Sequence, residues 1–246
     1  MGPLAGQSAV VTGATGGIGR AVAWSLAADG AFVVATFHRD ACAAQRLRAE
    51  AEASGLRVLV MPADAGDPAS ARPPVAAAEG GGKLSILVHA AGAPFYGLVQ
   101  DTGADAFHEL WRTHVGGAFE LVRAGAPGMI RRRYGRIAFI GSLWGSRGAA
   151  GESAYAAAKG GLHALARSLA QELGPSGITV NVAAPGLINS GPPPPGGEAT
   201  LEAFRAETPV GRAGSPEEVA RLVRFLVDPG SGFITGQIIG IDGGHP

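Results

Sequence analysis

The sequence is poor in cysteine, in aromatic residues and in net charge. Its single cysteine, Cys42, excludes an intrachain disulfide and any metal site built from several cysteines. The 20 basic and 20 acidic residues cancel, so no overall field attracts nucleic acid or an anionic membrane. No targeting segment and no apolar run of about 18 residues is evident. We therefore expect a cytoplasmic protein without a metal centre that binds neither nucleic acid nor membrane.

Apolar and small residues are abundant instead. Hydrophobic residues make up 46% of the chain, charged residues only 16%, and there are 40 glycines. This composition argues against disorder and predicts extensive burial. A length of 246 residues suits one α/β domain with a large core, and no repeat or linker divides the chain. The sequence predicts a single domain over residues 1–246.

Short hydrophobic runs alternate with helix-length segments along the chain. Continuous hydrophobic runs, separated by helices, are typical of parallel strands whose sheet is covered on both faces. The sequence thus predicts a doubly wound, Rossmann-like α/β fold with helices on both faces of a parallel sheet. Strands are predicted at 9–12, 31–37, 56–63, 84–92, 135–142, 177–186 and 237–242, and helices at 21–30, 40–55, 68–78, 105–133, 153–165 and 215–227.

Two segments interrupt this alternation. Residues 78–84, with three consecutive glycines, are predicted to form a surface loop. Residues 189–199 are predicted to form a second loop, which carries four consecutive prolines. Because polyproline is stiff and extended, this loop should adapt less than one rich in glycine and serine.

Two constellations carry chemistry. Gly13, Gly17 and Gly19 follow the first strand at a helix start, where glycines let the backbone approach a pyrophosphate. A turn that merely packs the helix on the sheet would also use them. Tyr155 and Lys159 lie four residues apart, so in a helix both side chains leave the same face. The pattern favours an active site over a packing surface.

Five motifs resemble one family in their order and spacing. They are "TGATGGIG" at 12–19, "HAAG" at 89–92, Ser142, "YAAAK" at 155–159 and "PG" at 185–186. The chain is similar over nearly its whole length to the classical short-chain dehydrogenase/reductases. Among these it most resembles 3-oxoacyl-acyl-carrier-protein reductases and related polyketide ketoreductases. The resemblance implies an NADPH-dependent ketoreductase of fatty acid or polyketide biosynthesis that transfers hydride to a 3-oxoacyl thioester or related ketone.

The resemblance also implies roles for the catalytic residues. Tyr155 would donate a proton to the substrate carbonyl, and Ser142 would hydrogen-bond that carbonyl. Lys159 would hold the nicotinamide ribose and lower the pKa of the phenol, since a nearby cation favours the phenolate. His114 stands where the fourth catalytic residue of the family is usually asparagine, and an imidazole can also hold a water molecule. We expect this histidine to stay neutral at pH 7 because Lys159 is cationic.

The cofactor is predicted to be NADP(H). No acid stands at Phe37 to repel a 2′-phosphate, and Arg39 can pair with one. Asp64 matches the family's acid at the adenine ring edge, although a turn-forming aspartate would look the same. The residues that the resemblance assigns to cofactor binding are Gly13, Thr15, Gly16, Gly17, Ile18, Gly19, His38, Arg39, Asp64, Ala65, His89, Ala91, Gly92, Tyr155, Lys159, Pro185, Gly186 and Ile188.

Partners are less defined by the sequence. In the family, basic residues at the position of Arg131, Arg132 and Arg133 dock the acyl carrier protein, but a solvated helix end is equally consistent with these arginines. Gly160 and Gly161 indicate a close approach, which in the family is made by a symmetry mate in a dimer or tetramer. Simple tolerance of glycine remains an alternative, and His163 has no assigned role.

Two other functions remain open. A substrate lid over about 187–210 chooses the substrate in relatives, and its shape is not readable, so an alcohol dehydrogenase acting on a sugar, steroid or small alcohol is an alternative. A catalytically weak NADP-binding partner subunit is the other, favoured by the altered residue at His114 and disfavoured by the presence of Ser142, Tyr155 and Lys159.

Overall fold

A computed structural model describes residues 2–191 and 195–246. Seven parallel strands form one sheet in the order β3-β2-β1-β4-β5-β6-β7. The order reverses between β1 and β4, where the chain crosses from one half of the sheet to the other. The prediction of a doubly wound, single-domain α/β fold is confirmed.

The strands are β1 (Gln7–Thr12), β2 (Phe32–Phe37), β3 (Val58–Pro62), β4 (Lys83–His89), β5 (Gly135–Ile140), β6 (Ile178–Pro185) and β7 (Ile238–Ile241). The helices are α1 (Gly17–Ala28), α2 (Ala41–Ala53), α3 (Arg72–Gly81), α4 (Ala104–Trp111), α5 (Gly117–Arg132), α6 (Trp144–Arg147), α7 (Ser153–Leu173), α8 (Gly197–Glu207) and α9 (Pro216–Leu226).

Helices cover both faces of the sheet, and alternate residues of each strand point to opposite sides. Val11 of β1 packs in a cluster with α1, α2 and α9, whereas its neighbour Val10 packs in a second cluster with α3, α5 and α7. Strands β5 and β6 are buried at every position. This two-sided burial explains the continuous hydrophobic runs in the sequence.

The predicted helix over 105–133 exists, but it is not uniform. A π-helical segment, Arg112–Gly116, separates α4 from α5. A π-helical turn widens the helix by one residue and changes the direction of the side chains that it carries. His114 lies within this segment.

Two loop predictions need correction. Residues 78–84 are mostly not a loop, because α3 continues to Gly81 and β4 begins at Lys83. This part of the helix packs against the core. Ala78 is fully buried, and the Phe32 ring lies against Gly81, in the place that a Cβ of residue 81 would take. The predicted loop at 189–199 ends earlier, since α8 begins at Gly197 within the region assigned to the lid. The prediction about the proline run falls largely on 192–194, outside the described residues.

Within 2–191 and 195–246, no helix is long and apolar enough to cross a membrane.

The core makes a first prediction. Leu87 of β4 has no exposed surface, so Leu87→Ala should lower the free energy of unfolding by about 2–5 kcal/mol through lost burial and a residual cavity. Leu98, which is 53% exposed, is the matched control, and Leu98→Ala should change the stability by no more than about 0.5 kcal/mol. Urea unfolding of both variants measures the difference. Equal losses would contradict this assignment of the core.

Candidate active site

The turn between β1 and α1 is built from glycines that no other residue could replace. Gly13 has φ +66°, and a Cβ there would lie 2.7 Å from Cα of Ala91. A Cβ at Gly19 would lie 2.3 Å from the carbonyl oxygen of Gly13. Helix α1 begins at Gly17, and its N-cap Gly16 offers no side-chain hydrogen bond. The first N–H groups of this helix are therefore left for an anion, as a dinucleotide pyrophosphate requires.

Ser190 lies against this turn and was missed from the sequence. A Cβ on Gly17 would lie 2.7 Å from the Ser190 carbonyl oxygen and 2.9 Å from its Cβ. Residues 187–190 are all held by backbone hydrogen bonds, among them Asn189 N–H to Gly214 O at 2.8 Å. The signal in the sequence was a hydroxyl side chain four residues after "PG", in a segment we assigned only to the lid.

The candidate adenosine region lies at the ends of β2 and β3. His38 and Arg39 are exposed there, and His38 Nδ1 lies 3.7 Å from the Asp64 carboxylate. Asp64 also accepts a 2.9 Å hydrogen bond from Gly66 N–H and lies 3.7 Å from Arg112. Asp64 thus forms a turn, which was the alternative to a role in adenine binding. Its place beside His38 also fits the edge of an adenosine.

Thr12 ties the ends of β1 and β4 together. Its hydroxyl accepts from the N–H groups of Ala90 and Ala91, both at 3.2 Å, so its own hydrogen goes to His89 Nδ1 at 3.0 Å. The Nε2–H of His89 then donates to Thr113 O at 3.2 Å. Both ring nitrogens of His89 are used within the protein. The ring nitrogens of this predicted cofactor residue are therefore not free to bind a cofactor.

Ser142, Tyr155 and Lys159 come together where the carboxyl end of β5 meets the beginning of α7. Ser142 follows β5 and is 7% exposed, and its hydroxyl accepts from Trp144 N–H at 3.2 Å. Lys159 is 5% exposed, and its ammonium donates to the Ile140 carbonyl at 2.8 Å. The Lys159 nitrogen lies 5.6 Å from the centre of the Tyr155 ring. The predicted one-turn spacing does bring phenol and amine to one place.

The ionisation of this group differs from our expectation. Desolvation raises the pKa of Tyr155, a hydrogen bond with Ser142 lowers it, and the charge of Glu152 raises it further. Burial also lowers the pKa of Lys159 to about 7. The lowering of the phenol pKa that we expected from Lys159 is not seen, because burial is the largest influence on the pKa of Tyr155 and only the hydrogen bond with Ser142 lowers it. A phenol with a raised pKa is protonated at neutral pH, which suits a proton donor.

His114 lies against the phenol. It is 1% exposed, its ring is perpendicular to Tyr155 with centroids 5.5 Å apart, and its Nε2 lies 3.2 Å from Ala93 O. Gly92 makes room for it, since a Cβ there would lie 2.0 Å from His114 Cε1. Desolvation, followed by the Lys159 charge, lowers the pKa of His114 to about 2. The prediction that this imidazole is neutral at pH 7 is confirmed, with burial as the larger cause.

A carboxyl group at the mouth of the site was also missed. Glu152 is the N-cap of α7, yet its side chain makes no capping hydrogen bond. It lies instead within hydrogen-bonding reach of the Trp144 side chain, and desolvation raises the pKa of Glu152 to about 7. None of the ion pairs within residues 2–191 and 195–246 includes Glu152. Glutamate three residues before a candidate catalytic tyrosine shares its helix face, which was a readable signal.

An aromatic cluster joins α8, in the region predicted to form the lid, to the turn after Ser142. Phe204 of α8 stacks on His245 with centroids 4.1 Å apart, and Trp144 meets both rings edge-on. Trp144 lies two residues after Ser142. The lid helix and the chain terminus therefore meet beside the candidate catalytic serine.

The glycines after Lys159 have explanations within the chain. A Cβ on Gly161 would lie 2.8 Å from the Trp111 indole, and one on Gly160 would lie 3.1 Å from Gly145 O. The close approach predicted there is made by Trp111 of the same chain, so these glycines by themselves do not indicate a symmetry mate.

The remaining predicted residues lie along the same edge of the sheet. Pro185 ends β6, its carbonyl accepts from Leu143 N–H at 2.9 Å, and Gly186 N–H donates to Ile241 O at 3.1 Å. Ile188 bridges to Gly214. Those not yet placed, Thr15, Ile18 and Ala65, lie in the glycine turn, in the first turn of α1 and after β3.

In the described part of the chain no group of side chains could hold a metal ion.

The chain is similar in sequence to known proteins over nearly its whole length. Residues 13–245 match the sequence model of a family described as enoyl-(acyl carrier protein) reductase. An uncharacterized oxidoreductase, YmfI, of Bacillus subtilis is 33% identical over 247 residues, which cover 97% of this chain and 98% of the relative. The 3-oxoacyl-[acyl-carrier-protein] reductase FabG of Pseudomonas aeruginosa is 35% identical over 242 residues, 98% of each chain.

The fold is also similar to that of solved structures. A short-chain dehydrogenase/reductase from Serratia marcescens has a TM-score of 0.90 and 33% identity, with 99% of each chain covered. Together with the glycine turn and the Ser142, Tyr155 and Lys159 group, these similarities show that the chain belongs to the short-chain dehydrogenase/reductase family, close to 3-oxoacyl-acyl-carrier-protein reductases, and is an oxidoreductase acting on CH–OH and C=O groups.

Proposed function

We propose that the protein is an NADPH-dependent ketoreductase that reduces the carbonyl of a 3-oxoacyl thioester or a related ketone. The observation that carries this proposal is the meeting of Ser142, Tyr155 and Lys159 next to the glycine turn. Relatives at 35% identity are named 3-oxoacyl-[acyl-carrier-protein] reductases, which supports the substrate class.

Each side chain has a definite task in this reaction. The Ser142 hydroxyl donates to the substrate carbonyl oxygen and orients it. Tyr155 gives its phenolic proton to that oxygen as the carbonyl becomes an alcohol, and its raised pKa keeps the proton in place until then. Lys159 holds the cofactor ribose and returns a proton to Tyr155. The nicotinamide, when bound, supplies the hydride.

Three features support NADP(H) over NAD(H). Phe37 at the end of β2 is partly buried in the core and carries no charge to repel a 2′-phosphate. Arg39 is exposed two residues later and makes no ion pair among the described residues. His38 offers a second positive partner when it is protonated. A guanidinium is well suited to a phosphate dianion because its N–H groups can bind two oxygens at once.

The carrier-protein interface is part of the same proposal. Arg131, Arg132 and Arg133 are all exposed at the end of α5. Arg132 donates to Leu84 O, and Arg133 donates to Pro175 O at 3.1 Å. Two of the three guanidinium groups are thus oriented by the protein's own backbone, which presents a fixed cationic surface to an acidic carrier. The solvated helix end stays the alternative.

A same-fold alcohol dehydrogenase acting on a sugar or small alcohol is the second candidate. Glu152 favours it, because a carboxyl group near Tyr155 with a pKa of about 7 can accept from a substrate hydroxyl group or donate to it. The intact group around Tyr155 argues against a catalytically weak subunit.

We also propose a cytoplasmic homo-oligomer, a dimer or a tetramer. Trp111 and Phe119 are 44% and 47% exposed on the same apolar face of α4 and α5, which a second copy of the chain would cover. The reduced, unpaired Cys42 fits a cytoplasmic location.

Turnover tests the proposed function directly. NADPH oxidation is measured with a short 3-oxoacyl thioester and with a panel of diketones, sugars and steroids. Tyr155→Phe should lower kcat by about 10²–10⁴-fold, because the proton donor is lost, while the dissociation constant for NADPH stays nearly unchanged. A preference for sugars over the thioester would favour the second candidate. A near-normal rate of the Tyr155→Phe variant would contradict the proposed role of Tyr155 as proton donor.

Cofactor choice gives the next prediction. The enzyme should use NADPH at least about tenfold more efficiently than NADH, a difference of about 1.4 kcal/mol in transition-state binding. Arg39→Ala should reduce this preference mainly by raising KM for NADPH, since the phosphate contact is lost before any chemistry occurs. Arg46→Ala, a change on the exposed side of α2, serves as the control. Equal use of both cofactors by the wild type would refute the assignment.

His114 gives the prediction on proton supply. His114→Asn should keep kcat within about tenfold of wild type, because an amide can also hold a water molecule, whereas His114→Ala should lose more. Because the pKa of His114 is lowered to about 2, the imidazole stays neutral between about pH 5.5 and 8, and it should add no titration to the wild-type profile. Identical profiles for both variants would show that His114 takes no part in proton transfer.

A further inference from the structure

His163 connects the interior behind Ser142 with the protein surface. It lies on α7, one turn after Lys159, and is 3% exposed. Its Nδ1 lies 3.3 Å from the hydroxyl of Ser146, a residue that is exposed. A buried imidazole therefore reaches solvent through one hydroxyl group.

The other edge of the ring faces the turn that carries Ser142. A Cβ on Gly141 would lie 2.5 Å from His163 Nε2, and one on Gly145 would lie 2.7 Å from its Cε1. These two glycines flank Ser142, and the ring occupies the space that they leave. His163 Nε2 is buried and has no hydrogen-bond partner among the described residues.

Lys159 meets the same peptide unit. Its ammonium donates to the carbonyl of Ile140, and His163 Nε2 lies beside Gly141, at the other end of that peptide bond. Lys159 carbon atoms also border Gly145 together with the imidazole. The unpartnered nitrogen thus lies beside the same Ile140–Gly141 peptide unit that accepts from the Lys159 ammonium.

The charges around His163 keep it neutral. Lys159 and Arg167 lie on either side of it on α7, Ser146 faces it from the turn, and Val182 of β6 is apolar. Desolvation, followed by these two cations, lowers the pKa of His163 to about 4. A neutral imidazole has one nitrogen that donates and one that accepts, which is the state that a proton relay needs.

We propose that His163 and Ser146 form a proton path from solvent to Lys159, separate from any path through His114. The proposal rests on the proposed roles of Tyr155 and Lys159. After Tyr155 has protonated the alcohol oxygen, the Lys159 ammonium gives a proton to the phenolate. The resulting amine takes the proton of His163 Nε2–H, directly or through one water molecule, while His163 Nδ1 takes the proton of the Ser146 hydroxyl, so that the imidazole stays neutral. A solvent water returns a proton to Ser146, and exchange of the ring protons with water restores the Nε2–H tautomer before the next turnover.

This path acts after the first turnover, so two kinetic measurements separate it from a structural role. The phenol already carries its proton when substrate arrives. His163→Leu, with both nitrogens removed at similar volume, should leave the single-turnover rate of the NADPH complex unchanged. It should lower the steady-state rate by about tenfold or more and raise its solvent deuterium isotope effect. Ser146→Ala should change the same two quantities in the same direction.

The control is His108→Leu, a change at an exposed histidine on α4. The carbonyl compound is whichever one the wild type reduces, so failure of the 3-oxoacyl proposal does not affect this test. Equal slowing of the first and later turnovers would show that the ring only supports the Ser142 turn. Unchanged steady-state rates in both variants would also overturn the path. If His163→Leu does not fold, the surface variant Ser146→Ala decides alone, because it leaves the ring in place.

Discussion

The burial of one cation, Lys159, is the constraint on which the site depends. An ammonium that is 5% exposed has lost most of its hydration, and a single backbone carbonyl, that of Ile140, replaces part of it. The cost shows as a pKa lowered to about 7. Lys159 is therefore close to giving up its proton at the working pH. The proposed return of a proton from Lys159 to Tyr155 depends on this property, which a fully solvated lysine would not have.

Three buried histidines surround this cation, and each is accommodated by glycine. His114 occupies the space over Gly92, and His163 the space over Gly141 and Gly145. His89 lies near Gly117, where a Cβ would be 3.0 Å from its ring. Desolvation, followed by the charge of Lys159, lowers the pKa of all three imidazoles, so the cluster holds at most one positive charge. The glycines beside the buried histidines therefore leave the space that the imidazole rings occupy.

Much of this arrangement follows from short-range sequence patterns. Tyr155 and Lys159 were predicted to meet because helix geometry fixes residues four apart, and the turn at Gly13 follows from its place between strand and helix. The features that were not predicted depend on distant contacts. The π-helical segment around His114 and the contact of His163 with Gly141 involve elements far apart in the sequence. The direction of the Tyr155 pKa shift depends on burial, which spacing alone does not reveal.

The turn after β5 carries both the proposed substrate-orienting serine and one end of the proposed proton path. Ser142 begins this turn, while Trp144 contacts Phe204 of α8 and the terminal His245. Ser146, two residues later, contacts His163 on the opposite side. The contacts of Trp144 with α8 and the contact of Ser146 with His163 thus lie within five residues of the same turn. Because glycines occupy positions 141 and 145, this turn packs directly on the His163 ring.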